Sequence, residues 1–318
     1  MAEARYTSPI ALARSIRDRV RTAVALESES RSFASSDECH RFTSMRPAQL
    51  RCDIAVQRFV ARLEALSPGR WVIKGGVALH MRLDPSRPSL DLDLADTSDP
   101  ISRELQMRDL EAVAQVDLAD YFRFEIERGS IDTDEHGSMT VSVASFIGAE
   151  PFENFDIDLA PFDATTESEL SPLALPIELD ISHTTVEVNI LRLEPQLADK
   201  ICAMFERHGQ EQVHSSRWRD LADIAMIAMQ TSSIDAEPLL RQLERERGRR
   251  PRLTDDLPSA FELPAEQIRE WRGNWGGRGR TVPVTIDEAL ETATRFVAPL
   301  LDGSAAGEWD PGHASWIS

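Results

Sequence analysis

Cysteine is scarce: Cys39, Cys52 and Cys202 are the only three in 318 residues. They share no C-x-x-C spacing, so neither a disulfide framework nor a zinc knuckle is indicated, and all three read as reduced and structural. The seven histidines are dispersed. No H-E-x-x-H occurs, and His208 and His214, six apart, do not share a helical face, which argues against zinc chemistry. The G-x-x-x-x-G-K-[ST] phosphate loop, the G-x-G-x-x-G dinucleotide turn and the G-x-S-x-G nucleophile elbow are all missing. No run approaches the roughly 20 apolar residues of a membrane span, and the opening MAEARYTSPI lacks the apolar stretch of a secretion signal. The expectation is a soluble, cytoplasmic protein with no membrane partner. Positive charge is short as well: 35 Lys and Arg face 54 Asp and Glu, a net charge of −19. That disfavours coating nucleic acid with the whole surface and confines any RNA contact to local basic patches. Arg14, Arg17, Arg19 and Arg21 form one patch. Arg241, Arg245, Arg247, Arg249, Arg250 and Arg252 form another, which reads better as a solvated helix face interleaved with Glu244 and Glu246.

What is present centres on residues 71–94, WVIKGGVALHMRLDPSRPSLDLDL. An apolar run (Trp71, Val72, Ile73) ends in Gly75-Gly76, passes into a short helical pattern and re-emerges as a strand carrying Asp91 and Asp93. Side chains two apart on a strand share a face, so the two carboxylates project together while Leu90, Leu92 and Leu94 pack the other way. Like charges held side by side call for open solvent or a cation, and the flanking leucines make the strand internal, so Mg²⁺ is the natural third party. A Gly-Gly turn opening a helix lets backbone N–H groups approach phosphate. The competing reading puts Asp91 and Asp93 on the wet face of an edge strand, with glycines that only turn the chain.

Taken in order, residues 8–27 carry helical spacing, 27–39 read as a loop, and 47–66 form a helix stopped by Pro68-Gly69. After the D-x-D strand, 105–118 look helical. The period then changes to two over 121–126, 139–146, 155–159, 175–181 and 186–190, which predicts a sheet. One of these strands reads N-F-D-I-D-L, so Asp156 and Asp158 repeat the arrangement of Asp91 and Asp93, as a third metal-binding carboxylate would require. Beyond Leu193 the chain turns helical. Leu197, Ile201, Met204 and Phe205 form an apolar stripe bordered by Lys200, Ala203 and Arg207. The following helix carries Asp220 and Asp223, with Arg219 and Asp223 spaced for an i, i+4 pair. Further helices are expected at 236–247 and 265–275, and a last one ends at Pro299, after which Trp309 and Trp316 cap the domain.

These motifs resemble the nucleotidyltransferase AbiEii toxin family, a branch of the polymerase-β-like nucleotidyltransferases. K-G-G-x-A-L followed by R-x-S-x-D-x-D (Arg87, Ser89, Asp91, Asp93) is similar to the family's opening motif. D-I-D-L-A-P-F-D resembles its later acidic strand, with Asp158 as the carboxylate. A-D-K-I-C-A-M resembles its lysine motif at Lys200, and R-W-R-D-L-A-D its R-x-R-D-x-x-D motif at Arg217, Arg219, Asp220 and Asp223. The family usually has threonine where Ser89 stands and a basic residue where Leu90 stands. The resemblance implies nucleotide transfer from a nucleoside triphosphate, in some members to the tRNA acceptor end, by growth-inhibiting toxins opposed by a cognate antitoxin.

The expected fold is α+β: residues 1–42 an N-terminal helix and loop, 43–193 a nucleotidyltransferase-like core with a mixed sheet, and 194–318 a helical C-terminal domain. Asp91, Asp93 and Asp158 are the candidate Mg²⁺ ligands. Gly75, Gly76, Ser89 and Lys200 are the candidate nucleotide contacts. Asp158, Lys200 and Asp220 are the candidate catalytic residues, with Lys200 neutralising the triphosphate and Asp220 orienting Lys200 or the acceptor. Arg207, Arg217, Arg278 and Arg280 are the candidate RNA contacts. The alternatives are transfer to a small molecule or protein, or a non-catalytic nucleotide-binding module.

Overall fold

The computed structural model describes residues 6–32, 47–83, 89, 91–98, 102–133, 139–161, 167–208, 213–231, 234–250, 253, 257–275 and 282–317. They divide into two compact units, the first running to Leu191 and the second from Arg192 onward together with Leu83.

The first unit contains α1 (Pro9–Ser32), α2 (Pro47–Leu66), β1 (Trp71–Lys74), α3 (Gly75–His80), β2 (Asp91–Asp96), α4 (Arg103–Ala114), β3 (Phe122–Thr133), β4 (Met139–Ile147), β5 (Glu150–Pro161), β6 (Ser168–Ala174) and β7 (Thr185–Leu191). The strands form one mixed sheet in the order β3-β4-β5-β2-β1-β7-β6. β2 runs parallel to β5 and β1 parallel to β7, while the other neighbours are antiparallel. Period-two patterning drives the arrangement: Leu92, Leu94, Val141, Val143, Phe155, Ile157 and Leu159 are buried, and the residues between them face the other side. α2 covers the apolar face, with Phe59 edge-on to Phe124 at 5.3 Å and to Phe155 at 5.7 Å. α1 joins the same core through Leu12, Ile16 and Val20, one residue per helical turn.

α2 also carries two fully buried arginines, Arg58 and Arg62, which share Asp120. Arg62 Nη2 donates to Asp120 Oδ1 at 2.7 Å and to the Phe122 carbonyl at 2.8 Å, and Arg58 donates to the carbonyls of Ser182 and His183 at 2.9 Å. Burial alone would raise the Asp120 pKa, but the two guanidinium groups hold it below the ordinary carboxylate range. One carboxylate thus ties α2 to the start of β3 and to the segment before β7.

The second unit contains α5 (Leu193–Phe205), β8 (Arg207–His208), β9 (Val213–His214), α6 (Trp218–Gln230), α7 (Ala236–Arg249), α8 (Ala265–Asn274), α9 (Ile286–Leu301), β10 (Glu308–Asp310) and β11 (Ser315–Ile317). Leu197, Ile201, Leu221, Ile224, Leu239, Leu243, Ala293 and Phe296 are buried. The terminal β10–β11 hairpin closes this core as expected. Trp309 lies edge-on to Phe296 at 4.9 Å and donates Nε1 to the Ala228 carbonyl, and Trp316 stacks on Phe296 at 5.2 Å.

The structure corrects several element assignments. α1 continues to Ser32 through residues read as loop, because glutamate and serine cost an established helix little. No strand forms over 175–181; that apolar run packs Leu179 onto the core after a single bond from the Leu175 N–H to the Thr184 carbonyl, and the strand lies at β6, whose mostly exposed residues give no clear alternation. α9 passes through Pro299, losing one N–H bond in its last turn while Asp302 N–H still closes onto Ala298. α5 ends at Phe205, so Arg207 lies not on the border of its stripe but on β8, against His214. In the second arginine cluster, Arg241 pairs with Glu237, Arg247 with Glu244 and Arg249 with Glu246. Arg250 is half-buried among Asp199, Glu206 and Glu246.

Replacing Asp120 with Asn leaves two buried guanidinium groups without a counter-charge and is expected to cost roughly 3–5 kcal/mol. Urea unfolding of the parent and D120N checks this. Because the folded pKa of Asp120 is depressed, its contribution is present above the unfolded value of about 3.9 and fades as pH falls through the folded one.

Candidate active site

The register of β2 on β5 opposes Asp91 to Asp156 and Asp93 to Asp158. Opposed residues on paired strands project to the same face, so four carboxylates share one side of the sheet. β1 adds Lys74 opposite Asp93, and β4 adds Thr140 opposite Asp158 and Ser142 opposite Asp156. Two rows result across the sheet, Lys74–Asp93–Asp158–Thr140 and Asp91–Asp156–Ser142. The hydroxyls donate across them, Thr140 Oγ1 to Asp158 Oδ1 and Ser142 Oγ to Asp156 Oδ1, each at 2.6 Å. Each bond fixes one carboxylate oxygen and leaves Oδ2 of that carboxylate to other partners.

Gly75 closes one end of the first row. Its φ of +62° is a conformation side chains disfavour, and a Cβ built there would lie 1.8 Å from Asp93 Oδ2. The glycine turn therefore does two things: it starts α3, and it lets the backbone come up against the Asp93 carboxylate. Gly76 is buried in the first turn of α3. Ser89 sits just before β2 with its hydroxyl directed to the Asp91 carbonyl at 3.2 Å, while Gln49 on α2 donates to the Ser89 carbonyl at 2.8 Å and to Asp53 Oδ1 at 2.9 Å. With its proton so used, Ser89 can donate to a phosphate only by exchanging that bond.

Among the described residues, no three His, Cys, Asp or Glu side chains stand close enough together to hold a metal ion by themselves. The rows instead offer carboxylates in pairs, made of hard oxygen donors. That fits Mg²⁺, which commonly binds through one or two carboxylates and takes its remaining ligands from water and substrate phosphates.

The second unit holds the other predicted residues as a cluster of its own. Lys200 is buried, with Nζ at 2.9 Å from Asp220 Oδ1 and 2.7 Å from Asp223 Oδ2, and Arg217 Nε lies 2.6 Å from Asp220 Oδ2. The helix α6 presents Asp220 and Asp223 one turn apart, which is the spacing needed to hold one ammonium from both sides. Burial opposes ionisation of Asp220, yet Lys200 and Arg217 lower its pKa to about 2. The four charges cancel, and Lys200 does not snorkel. The lysine and Asp220 are brought together as expected; Asp91, Asp93, Asp158 and the glycines are brought together in the first unit. Arg87, Leu90, Arg252, Arg278 and Arg280 lie outside the described residues.

Sequence reasoning passed over Thr140 and Ser142, which announce themselves only once the β4–β5 register is known. It also passed over Lys74, for which a signal existed: the chain has two lysines, Lys74 and Lys200, among 35 basic residues. The two cysteines among the described residues, Cys52 and Cys202, are free and buried, and burial raises both thiols to about 12, which makes them inert. No helix among the described residues is long and apolar enough to cross a membrane.

Gly75→Ala is expected to force either the turn or Asp93 to move, with about a 100-fold fall in transfer activity and little change in fluorescence-monitored folding of the second unit. Activity near the parent's would show that the close approach is incidental. Lys200→Ala should destabilise the second unit, since it strands two buried carboxylates, whereas Lys200→Met with Asp220→Asn and Asp223→Asn should recover much of that loss. Thermal melts separate the structural share of Lys200 from its catalytic share: a triple variant that folds but fails in transfer keeps the catalytic assignment, and one that folds and works removes it. The depressed Asp220 pKa stabilises above about pH 3.9, and this is lost as pH falls towards 2, so D220N should show a flatter acid unfolding profile than the parent.

Comparison with known proteins bears on the fold and the family. The MenT4 nucleotidyltransferase toxin of Mycobacterium tuberculosis H37Rv has a similar fold, with a TM-score of 0.54 at 17% identity, covering 88% of this chain and 89% of that one. JHP933 from Helicobacter pylori matches with a TM-score of 0.48 at 17% identity, over 82% of this chain and 94% of that one. No curated protein matches the sequence. The family model described as nucleotidyl transferase AbiEii toxin, type IV toxin–antitoxin system, matches residues 58–293. That span takes in both carboxylate strands, the glycine turn and the Lys200 cluster, and the chain accordingly belongs to the AbiEii family of nucleotidyltransferase toxins.

Proposed function

We propose that this nucleotidyltransferase toxin moves a nucleotide from a nucleoside triphosphate to an acceptor hydroxyl of tRNA, in a reaction that depends on Mg²⁺. The observation that carries the proposal is the parallel register of β2 on β5, which pairs Asp91 with Asp156 and Asp93 with Asp158 beside the Gly75-Gly76 turn. Bound there, Mg²⁺ would offset charge on the phosphoryl oxygens as a Lewis acid. Asp93 would hold it in a pair with Asp91 or with Asp158, and water and phosphate oxygens would complete its shell. Gly75 and Gly76 let the chain approach phosphate with backbone N–H groups, and Ser89, tethered through Gln49, keeps the entry to β2 in place. Asp158 has Oδ1 engaged by Thr140, and its Oδ2 is the oxygen suited to accept the acceptor hydroxyl's proton or to share the ion. A type IV system implies an antitoxin as functional partner. The acidic balance of −19 supports restricting RNA contact to local arginine patches, and it keeps a small hydroxyl acceptor or a protein as the alternative.

Incubation with each α-labelled NTP and total tRNA, with Mg²⁺ or with excess chelator, tests the reading. The expected result is label on tRNA from one or more NTPs, lost on chelation and lost in Asp93→Asn. Label found on protein or in the small-molecule fraction would transfer the acceptor assignment there, label that survives chelation would remove the metal, and no label anywhere would remove the transfer.

A further inference from the structure

Among the side chains that the proposed chemistry leaves unused, Lys74 stands apart. It is the last residue of β1, opposed in register to Asp93, and half-buried. Its φ of −132° and ψ of −166° keep it extended, so the ordinary strand rule holds and its side chain shares the face of Asp93 and Asp158. Four carboxylates and this one ammonium occupy the two rows, leaving the face strongly negative. Nearly every other cation in the chain is an arginine, and the described arginines near the sheet are taken: Arg51 by Glu153, Arg70 by Asp96 and Asp109, and Arg82 by Glu169. Lys200 has its charge matched by two carboxylates. Lys74 has no hydrogen-bond or ion-pair partner among the described residues. A half-buried ammonium without such a partner forgoes part of its hydration, and an arriving anion would restore what it lacks.

We propose that Lys74 is a substrate-binding residue that contacts the triphosphate of the incoming nucleotide, next to the Gly75-Gly76 turn. This rests on the nucleotidyl-transfer reading of the site and assigns within it a cation that the lysine motif at Lys200 does not supply. A compact ammonium on a flexible stem suits the position. It can follow the phosphate chain as the leaving group separates, whereas the planar fork of arginine would compete for Asp93 and Asp158 in a bidentate fashion. The stretch Lys74-Gly75-Gly76 thus offers a charge and close backbone approach from three successive residues.

Because the chain has only two lysines, amine labelling reads the proposal directly. The intact protein is treated with an acylating reagent in the presence of NTP or the matching nucleoside, and peptides containing Lys74 and Lys200 are quantified by mass spectrometry. The expected result is strong labelling of Lys74, suppressed by NTP and not by nucleoside, with Lys200 poorly labelled throughout. In parallel, titration with ribose-labelled fluorescent NTPs should show affinity for Lys74→Met lowered roughly 10- to 100-fold, the range of one charged hydrogen bond. Lys74→Arg should recover part of this, nucleoside affinity should be unchanged, and the melting temperature should hold because no ion pair is broken. Full labelling of Lys74 at saturating NTP, or parent-like NTP affinity in Lys74→Met, overturns the assignment while leaving the nucleotide site in place. A parent protein that binds no NTP overturns the nucleotidyl-transfer reading itself, and the assignment with it.

Discussion

The parallel pairing of β2 with β5 is the constraint on which the first unit depends. A slip of one residue would turn Leu92 and Leu94 outward and drive Asp91 and Asp93 into the phenylalanine core, and the same slip read from β5 would bury Asp156 and Asp158. Apolar burial on one face therefore sets the carboxylate positions on the other to within the geometry of a strand. The functional face needs no specification of its own beyond the identity of the residues that point there. Its repulsion is tolerated because the opposite face supplies the compensating burial, and because β4 sets a hydroxyl against each of the two β5 carboxylates.

Buried charge is handled differently in the two units. Around Asp120, two guanidinium groups share one carboxylate, and the carbonyls of Phe122, Ser182 and His183 accept further donors from them. The charge cluster acts as a clamp with a fixed shape. Around Lys200, cations and carboxylates balance, and Arg217 extends the cluster to the surface with half its side chain exposed. Pairs of this kind add little net stability over a packed apolar core, but they penalise any rearrangement that separates them. Their value lies in holding one geometry.

The sequence made the carboxylate strands and the glycine turn readable, because each rests on short-range periodicity or on glycine's backbone freedom. Residues 47–66 form a helix with those bounds, and Pro68-Gly69 does stop it. What escaped was whatever depends on partners distant in the chain. Thr140 and Ser142 gain meaning from residues 14 to 18 positions away, and no local pattern distinguishes them from ordinary strand hydroxyls. The pairing of Asp223 with Lys200 took a residue that local spacing had offered to Arg219. β6 was missed because a mostly exposed edge strand, with only Ser171 and Leu173 half-buried, shows little alternation, while the apolar run after it has the composition of a strand and the role of a plug.

That edge strand bears on how the molecule behaves in company. Among the described residues β6 ends the sheet with an unpaired outer side, the kind of surface on which a second chain can add itself strand by strand. Pro172 interrupts the row of N–H donors, and the exposed Glu167 adds negative charge at the rim, Glu169 being paired with Arg82. A neighbouring copy, itself acidic, would meet a broken ladder and like charge together. Both features disfavour sheet-to-sheet growth at this edge, where Leu170 is exposed.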